Sequence, residues 1–356
     1  MNKVLILSTA RNYGGAEKSI EVIVKKLKKN FDVLVAVSNK KYREFFKKNE
    51  IKTFFLKSNK IFILYNAIIL YKVVKNFNVI VANTNKDAFY LALISFFIDI
   101  NNKNVLIYMR DHQWKYRKFI YKRMKNAKYI LPSKALLDDE LYIKKYISEK
   151  QFYIIGESVK ISNISYKEGE YILLLANISK LKGIDLLLKA YVKSELKKEN
   201  LKVLICGKVQ DKIYFKNLLE FIRQNNIESV VKIKDFQEDE QVKILYENAL
   251  FVVNSSISNY GGPETFGRTI IEAWSYKKPV IAFNVGGPKY IIDNAIDGFL
   301  VEEGNIFELA DKIKLLAMNR FLCKKMGENG YVKVKEKYNV DFIYNKFLSC
   351  IYNKND

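Results

Sequence analysis

The chain has 356 residues, of which 49% are hydrophobic, and its 61 Lys and Arg outnumber its 38 Asp and Glu to give a net charge of +23. This composition excludes a disordered or collagen-like chain, and the length exceeds what one hydrophobic core normally supports, so we expect two domains. Three widely spaced cysteines, Cys206, Cys323 and Cys350, predict neither a disulfide framework nor a zinc site.

No targeting or membrane-spanning segment is predicted. The first apolar run, residues 4–7, is shorter than the core of a signal peptide, and no apolar stretch reaches the roughly 18 residues of a membrane span. The nearest stretch, residues 61–74, is interrupted by Asn66 and Lys72. We therefore expect a cytoplasmic protein.

The positive charge is concentrated in the first half of the chain. Residues 1–170 hold 33 Lys and Arg and 15 Asp and Glu, a difference of +18, whereas residues 171–356 hold 28 and 23, a difference of +5. A basic half attracts partners that carry phosphates, such as nucleic acid or an anionic membrane surface. An AT-rich coding sequence would also explain the abundant Lys, Asn, Ile, Tyr and Phe, so both interpretations stay open.

Short β-branched or aliphatic runs alternate with amphipathic segments along the first half of the chain. The runs predict strands at residues 4–7, 33–37, 79–82, 105–108, 129–131 and 152–155. Between the first two, residues 16–29 carry an apolar stripe at helical spacing, with lysines on the opposite face, which predicts a helix.

A second series of strands follows a polar connection at residues 156–170. The predicted strands are residues 171–176, 203–206, 230–233, 250–253, 280–283 and 299–301. Helices are predicted between them, for example at 184–193 and 265–276, and only helices from residue 305 onward. Because alternating strands and helices form parallel sheets covered on both faces, the two series predict two doubly wound α/β domains. Such sheets bind ligands beyond the carboxyl ends of their strands, so we expect the chemistry in a cleft between the domains.

The loop after the first strand contains Gly14 and Gly15 and opens a helix. Paired glycines let the backbone approach a ligand, and a helix start offers free N–H groups and the positive end of the helix dipole, which suits a phosphate. The pattern is neither G-x-G-x-x-G nor a Walker loop, so a simple tight turn remains the alternative.

The most informative segment is residues 261–272, which read GGPETFGRTIIE. If a helix starts at the proline, Glu264 and Glu272 lie roughly 12 Å apart along its axis, a separation comparable to that of ribose and hexose in an extended nucleotide sugar. One carboxylate would accept sugar hydroxyls and the other the ribose hydroxyls, while the N–H groups of Phe266 and Gly267 face the diphosphate. The alternative is a helix cap at Glu264 and a solvated Glu272, although a carboxylate inside an apolar run is costly without a purpose.

These residues resemble those of glycosyltransferase family 4, whose members are retaining enzymes with the GT-B fold. The likeness rests on the Glu-x7-Glu spacing and on Gly286–Gly287 after the strand at 280–283, and it extends over most of the chain. Further similar segments are Gly14–Gly15, residues 182–187 and residues 298–301. The resemblance implies two Rossmann-like domains facing across a cleft, an acceptor-side domain at 1–160 and a nucleotide-sugar domain at 161–330. Residues 331–356 are expected to form a helix that packs back on the first domain.

The resemblance also implies roles for individual residues. Glu264 would contact the transferred sugar and stabilise positive charge at its anomeric carbon, and Glu272 would hold the ribose. Lys182 would neutralise the diphosphate leaving group, together with the N–H groups at Gly15 and at Phe266–Gly267. Retention of configuration then requires electrostatic stabilisation and positioning, without a protein nucleophile or a metal. The sequence contains no Asp-x-Asp, so we expect no metal and no cofactor besides the nucleotide sugar as co-substrate.

One position departs from the family pattern. Members commonly have an arginine five residues before the lysine, where this chain has Asn177, so a bidentate phosphate ligand is missing from the donor site. We expect Arg268 or Lys208 to compensate.

The single histidine, His112, follows a predicted strand of the first domain. Family members often carry a histidine in this loop that faces the sugar, and the resemblance leaves His112 and Asp111 as the two alternatives for that position. Asp111 and His112 are therefore both catalytic candidates, and a structural or exposed histidine is the alternative.

Two basic runs, residues 25–29 and 115–128, are amphipathic. They are explained either as solvated helix faces or as peripheral attachment to anionic lipid on the inner face of the membrane, which would bring a lipid-linked acceptor to the first domain.

The sequence thus predicts a metal-independent, retaining hexosyltransferase. It would use a nucleotide-diphosphate sugar, with a UDP-sugar favoured, and a glycan or lipid-linked acceptor in cell-envelope polysaccharide synthesis. Two alternatives are a GT-B-type nucleotide-sugar epimerase, which the Glu-x7-Glu pattern disfavours, and a basic nucleic-acid-binding protein. The second alternative lacks a recognised nucleic-acid module, so we expect no nucleic-acid partner.

Overall fold

The computed structural model describes residues 3–10, 14–100, 102–112, 114–139, 141–161, 163–235, 239–259 and 262–352. The chain divides into two compact units. Unit 1 is Met1–Glu157 together with Val340–Asp356, and unit 2 is Ser158–Asn339. The domain limits expected from the sequence were residues 160 and 330.

Unit 1 is built on a parallel sheet of seven strands in the order β3-β2-β1-β4-β5-β6-β7. The strands are β1 (Lys3–Ser8), β2 (Asp32–Val37), β3 (Lys52–Phe55), β4 (Val79–Ala82), β5 (Asn104–Tyr108), β6 (Lys128–Leu131) and β7 (Phe152–Ile154). The central strands β1, β4 and β5 are almost wholly buried, because helices cover both faces of the sheet, and this explains their continuous apolar sequences.

The helices of unit 1 that precede the crossing to unit 2 are α1 (Gly15–Leu27), α2 (Lys40–Lys48), α3 (Ile63–Val74), α4 (Asn85–Ile94), α5 (Arg117–Arg123), α6 (Ala135–Asp139) and α7 (Leu141–Lys144). The apolar stripe predicted at residues 16–29 is confirmed as the buried face of α1. Side chains of α1 and α4 belong to different core clusters, as expected when the helices after β1 and β4 cover opposite faces of the sheet.

Unit 2 is built on a parallel sheet of six strands in the order β10-β9-β8-β11-β12-β13. The strands are β8 (Tyr171–Leu175), β9 (Lys202–Cys206), β10 (Val231–Lys234), β11 (Ala249–Asn254), β12 (Val280–Phe283) and β13 (Gly298–Val301). Its helices are α8 (Ile184–Ser194), α9 (Lys212–Gln224), α10 (Asp239–Asn248), α11 (Arg268–Ser275), α12 (Pro288–Ile291), α13 (Ile306–Met318) and α14 (Arg320–Lys337). In both sheets the chain order reverses between the first and fourth strand of the unit, which is the doubly wound, Rossmann-like topology.

The last helix, α15 (Val340–Tyr352), belongs to unit 1. Its Phe347 is fully buried in one of the two cores of unit 1, with its ring stacked 6.2 Å from that of Tyr108. The amine of Lys128 donates a hydrogen bond to the carbonyl oxygen of Cys350 at 2.8 Å. Apolar packing and this buried bond therefore hold the chain terminus on unit 1.

Each predicted strand is present, and its ends lie within one residue of the prediction. Strand β3 was not predicted; it is an edge strand whose sequence KTFF is only partly buried and starts with an exposed lysine. It was also wrong to treat residues 115–128 as one amphipathic run. The helix there spans only Arg117–Arg123, preceded by Tyr116 at a left-handed φ of 59°, and Lys128 is a buried residue of β6.

Within the residues that the structure describes, no helix combines the length and the apolar character that crossing a bilayer would need.

Candidate functional site

The clearest cluster of reactive side chains lies at the carboxyl edge of the unit 2 sheet, where the strand order reverses between β8 and β11. Ligands of doubly wound sheets bind at this switch point. The short connection after β8 carries Lys182, and Asn254 ends β11, followed by Ser255 and Ser256. The hydroxyl of Ser255 donates to the carbonyl oxygen of Lys182 at 2.9 Å, so the two connections are tied together at this point.

Lys182 and Glu264, predicted in separate motifs, form an ion pair at this edge. The Lys182 amine lies 2.6 Å from Oε2 of Glu264, and the hydroxyl of Ser256 donates to the same oxygen at 3.0 Å. Both side chains are about three-quarters buried, with 20% and 24% of their surface exposed. Burial opposes ionisation of the carboxyl group, but the charge of Lys182 and hydrogen bonds from Lys182, Ser256 and Asn254 prevail and lower the pKa of Glu264. The site therefore presents an anion and a cation side by side at neutral pH.

The prediction that Glu264 and Glu272 share one helix is wrong. Helix α11 begins at Arg268, and Glu264 lies in the loop before it. The interruption is at Gly267, whose φ of +92° is a left-handed conformation that glycine adopts without strain. The separation of roughly 12 Å along one helix axis therefore does not apply. Gly261, at the start of the predicted segment, lies outside the described residues.

The Gly286–Gly287 turn after β12 supports the loop that carries Glu264. The N–H group of Gly287 donates to the carbonyl oxygen of Glu264 at 2.6 Å. A Cβ atom on Gly286 would lie 2.4 Å from that oxygen, and one on Gly287 would lie 2.3 Å from Cα of Phe266. The glycine pair is thus required for close backbone packing, and it holds the loop that carries Glu264 in place.

Phe266 and Gly267 contribute backbone rather than side chain to this region. The Phe266 ring is buried and meets the ring of Tyr338 edge-on at 5.7 Å. This contact anchors the loop to the C-terminal end of α14, and both Phe266 and Gly267 are buried.

Glu272 belongs to a second polar cluster on α11. Its Oε1 accepts a hydrogen bond from Nε of Arg268 at 2.8 Å, and its Oε2 accepts one from the hydroxyl of Tyr246 at 2.9 Å. The Tyr246 ring stacks on that of Tyr276 at 5.5 Å. Burial, with the nearby charge of Glu272, raises the pKa of Tyr246 well above its ordinary value, so this hydroxyl remains a donor. Arg268 is therefore engaged with Glu272 on the same helix face.

Asn177 and Lys208 lie on neighbouring loops at the same edge of the sheet. They follow β8 and β9, which pair in parallel with Leu175 opposite Cys206. The N–H group of Ile178 donates to the carbonyl oxygen of Lys208 at 2.9 Å, and both Asn177 and Lys208 are exposed. The register of the sheet therefore brings the lysine next to the position where the family pattern has an arginine.

In unit 1, Gly14 and Gly15 stand at the start of α1, as predicted. The N–H group of Gly14 donates to Oε2 of Glu17 at 2.9 Å, and burial raises the pKa of the Glu17 carboxyl group. Residues 11–13 of this loop lie outside the described residues. The N-terminal end of α1 therefore carries the carboxyl group of Glu17, to which we assigned no role from the sequence.

A buried polar network, which was not predicted from the sequence, lies at the carboxyl edge of the unit 1 sheet. Asp87, which is fully buried, accepts hydrogen bonds from the hydroxyls of Thr9 at 2.5 Å and of Thr84 at 2.7 Å, and burial raises its pKa. The guanidinium of Arg110 contacts Glu157 at 2.6 Å, and both side chains are about nine-tenths buried. A signal was available for Thr9, Thr84 and Arg110, which lie just beyond β1, β4 and β5, but not for Glu157, which follows β7.

Asp111 and His112 follow directly after Arg110 at this edge. Asp111 is exposed and His112 is half-buried. Arg110 has further contacts: its Nε donates to Oδ1 of Asn83 at 3.0 Å, and its guanidinium lies 4.3 Å from the centre of the Tyr108 ring.

Comparisons with known proteins place this geometry in a family context. Residues 157–333 match the family model described as glycosyl transferases group 1. The chain is 33% identical over 207 residues to poly(ribitol-phosphate) alpha-N-acetylglucosaminyltransferase of Staphylococcus aureus (strain COL), covering 56% of this chain and 39% of that protein. It is 25% identical over 217 residues to N-acetyl-alpha-D-glucosaminyl L-malate synthase of Bacillus anthracis, covering 61% of this chain and 51% of that protein. The chain thus spans about half, or less, of the length of these curated relatives.

Solved structures match over nearly the whole chain. A glycosyltransferase from Rickettsia africae ESF-5 superposes with a TM-score of 0.85 at 23% identity, covering 99% of each chain. HepE of Anabaena in complex with UDP superposes with a TM-score of 0.84 at 19% identity, covering 98% of this chain and 99% of that one. The two parallel sheets and their helices therefore have the GT-B fold of these structures.

Proposed function

We propose that this chain, whose residues 157–333 match the model of group 1 glycosyl transferases, transfers a hexosyl unit from a nucleotide-diphosphate sugar to a glycan or lipid-linked acceptor. The single observation that carries the proposal is the ion pair of Lys182 and Glu264 at the switch point of the unit 2 sheet, inside the matched segment. We infer a UDP-sugar because HepE was crystallised with UDP and with UDP-glucose. Cell-envelope polysaccharide synthesis is inferred from the first named relative, a poly(ribitol-phosphate) glycosyltransferase.

The ion pair supplies both charges that glycosyl transfer demands. When the bond between the anomeric carbon and the diphosphate breaks, positive charge develops on the sugar and negative charge on the leaving group. In our proposal the Lys182 amine stabilises the departing diphosphate, and the Glu264 carboxylate stabilises the sugar. The lowered pKa of Glu264 keeps that carboxyl group ionised for this role.

Glu272 is proposed to hold the ribose. A carboxylate has about four acceptor positions, and Arg268 and Tyr246 use one on each oxygen, so capacity remains for two ribose hydroxyls. The same two contacts fix the orientation of the carboxylate before the ligand arrives, which reduces the entropy lost on binding. The N–H groups at Gly15 and at residues 266 and 267 are proposed to contact the diphosphate.

Retention of configuration and independence from metal complete the proposal. The departing phosphate would take the proton of the acceptor hydroxyl on the face from which it leaves, so the new bond forms on the same face. Support comes from the family resemblance and from the absence of an Asp-x-Asp sequence.

Asp111 and His112 are proposed to contact the sugar or the acceptor. The chain is also proposed to work at the inner face of an anionic membrane.

The proposal is tested by a screen of UDP- and GDP-sugars, with nucleotide release and thermal stability measured in parallel. We expect one UDP-sugar to be hydrolysed slowly without acceptor, and UDP to raise the melting temperature because it binds only the folded chain. The anomeric configuration of the product, read by NMR, tests retention, and added EDTA tests metal independence. Stabilisation by short DNA but by neither UDP nor GDP would overturn the proposal, as would conversion of a UDP-sugar to its epimer without transfer.

A further inference from the structure

Helix α3 carries an apolar stripe on its exposed side. Exposed positions recur at helical spacing through this segment, and they are Ile61, Leu64, Tyr65, Ile68, Lys72 and Lys75. Leu64 is 76% exposed and Ile68 is 58% exposed. The buried side contains Asn66, whose amide donates to the hydroxyl of Tyr90 at 2.9 Å. A surface helix normally presents its polar side to water, so the outward apolar stripe of α3 needs an explanation.

The stripe continues onto the segment after α4 and onto α5 through a chain of aromatic contacts. The Tyr71 ring of α3 meets the ring of Phe97 edge-on at 6.4 Å, and Phe97 is 75% exposed. The neighbouring Phe96, also exposed, stacks on Phe119 of α5 at 6.1 Å. Leu64, Ile68, Phe96 and Phe97 are therefore parts of one surface, which we call the apolar face of unit 1.

Cations border this face. Residues 57–76 contain four lysines and residues 115–125 contain six Lys and Arg, and neither segment contains an Asp or Glu. The Lys57 amine lies 4.1 Å from the centre of the Phe62 ring, and the Arg123 guanidinium lies 4.1 Å from that of Phe96. Lys118 and Lys122 are exposed on α5. Residues 94–100 contain one acidic residue, Asp99, which is exposed and lies two positions after Phe97.

We infer that the apolar face of unit 1 docks on an anionic membrane surface. Side chains such as Leu64 and Phe97 would enter the boundary between headgroups and acyl chains, while the bordering lysines meet lipid phosphates. A protein partner would match apolar groups with its own, but ten cations without an acid in the two flanking segments favour a surface of uniform negative charge. The inference deepens the proposed function, on which it rests for its biological purpose, because it assigns the membrane attachment to α3 and its neighbours.

Flotation with phosphatidylcholine vesicles, with and without phosphatidylglycerol, tests the inference on the full chain. Wild-type protein is expected to float only with vesicles that contain phosphatidylglycerol. Leu64→Asn/Ile68→Asn and Phe96→Ser/Phe97→Ser should each lower the partition coefficient at least about tenfold, since each removes two large side chains from the bilayer boundary. Lys118→Gln/Lys122→Gln should lower it several-fold, and more so at low salt.

Phe321→Ser in unit 2 is the matched control, because Phe321 is 77% exposed and belongs to the other unit. It should float like the wild type, and circular dichroism and melting temperature should be unchanged in all variants. Binding by wild type to neither kind of vesicle would overturn the inference, as would equal binding by the Leu64→Asn/Ile68→Asn variant. A dimer that this variant dissociates would assign the face to a second copy of the chain instead.

A fluorescent label gives an independent readout. The native Cys206, Cys323 and Cys350 are all buried, so a cysteine introduced by Ile68→Cys is selectively reactive. An environment-sensitive label there should shift to the blue with phosphatidylglycerol vesicles, and a label introduced by Phe321→Cys should not. Because neither assay needs a nucleotide sugar, a chain that floats but never binds UDP would contradict only the proposed function.

Discussion

Each unit has an ion pair beyond the carboxyl ends of its strands, but the two pairs differ in how deeply they are buried. In unit 1 the Arg110–Glu157 pair is about 90% buried, with further contacts to Asn83 and Tyr108. In unit 2 the Lys182–Glu264 pair has 20% and 24% of its side-chain surface exposed. A buried pair that is fully surrounded stabilises a particular packing, whereas a partly open pair can exchange its partners for those of a ligand. We therefore expect the Arg110–Glu157 pair to be structural and the Lys182–Glu264 pair to be reactive.

The largest effect is expected when the closed pair is broken. Arg110→Met leaves the Glu157 carboxylate without its neutralising cation in a buried place, so the free energy of unfolding should fall by about 3–5 kcal/mol. Urea unfolding followed by circular dichroism measures this loss. Lys52→Met, which removes an exposed partner of Asp32, is the control and should cost less than about 1 kcal/mol. Adding Glu157→Gln to Arg110→Met should restore part of the loss, and equal losses for Arg110→Met and Lys52→Met would contradict the contrast.

The open pair should affect activity more than stability. Lys182→Ala and Glu264→Gln are each expected to lower the turnover of the nucleotide sugar about 10²–10³-fold, because each removes a charge that stabilises the opposite charge developing in the transition state. The melting temperature should change little, since the site is partly open to water. Lys189→Ala removes the exposed partner of Asp185 on α8 and should leave turnover unchanged. Full activity in Glu264→Gln would contradict the role of this carboxylate.

The pH dependence of stability should have opposite signs in the two units. Burial raises the pKa of Asp87, so its contribution to stability is lost as the pH rises above its ordinary value of 3.8. The pKa of Glu264 is lowered, so its contribution is present above 4.5 and is lost as the pH falls below that value. Asp87→Asn should gain stability relative to wild type as the pH rises, and Glu264→Gln should lose stability relative to wild type. Urea titrations between about pH 3 and pH 7 measure both differences. The same sign for both variants would contradict the comparison.

Much of the fold could be predicted from the sequence, because buried parallel strands have continuous apolar runs and the helices between them have an apolar stripe. The edge strand β3 was missed because its half-buried KTFF sequence has neither pattern. The site was predicted only in part. Lys182 and Glu264 were each singled out, but their 2.6 Å contact depends on the pairing of β8 with β11, which joins segments 82 positions apart in the chain.

The start of α11 shows why local patterns were not enough. Proline followed by Glu264 is a good start for a helix, yet Gly267 adopts a left-handed conformation and the Gly286–Gly287 turn packs against the loop from below. A tertiary contact with a distant glycine pair therefore decides where the helix begins. The Arg110–Glu157 pair was missed for a related reason. Arg110 follows β5, whereas Glu157 is the last residue of unit 1 before the chain enters unit 2, and no local sequence pattern links the two.

The smallest expected effect concerns the missing arginine at Asn177. Lys208 is the better compensator, because the sheet register brings its loop beside Asn177, whereas Nε of Arg268 is engaged with Glu272. Lys208→Ala should weaken UDP binding about three- to tenfold at low salt, and less at high salt because the side chain is exposed. Isothermal titration calorimetry measures the affinity, and Lys212→Ala on α9 is the control.

A double-mutant cycle makes this last prediction specific. If Lys208 supplies the charge that an arginine would otherwise provide, Asn177→Arg should strengthen UDP binding and make Lys208→Ala nearly silent in that background. A merely electrostatic contribution from a distant lysine would instead add to the effect of Asn177→Arg without interaction. Unchanged UDP affinity for both Lys208→Ala and Arg268→Ala would show that the site needs no compensation, and that the Lys182 amine with the backbone N–H groups suffices for the diphosphate.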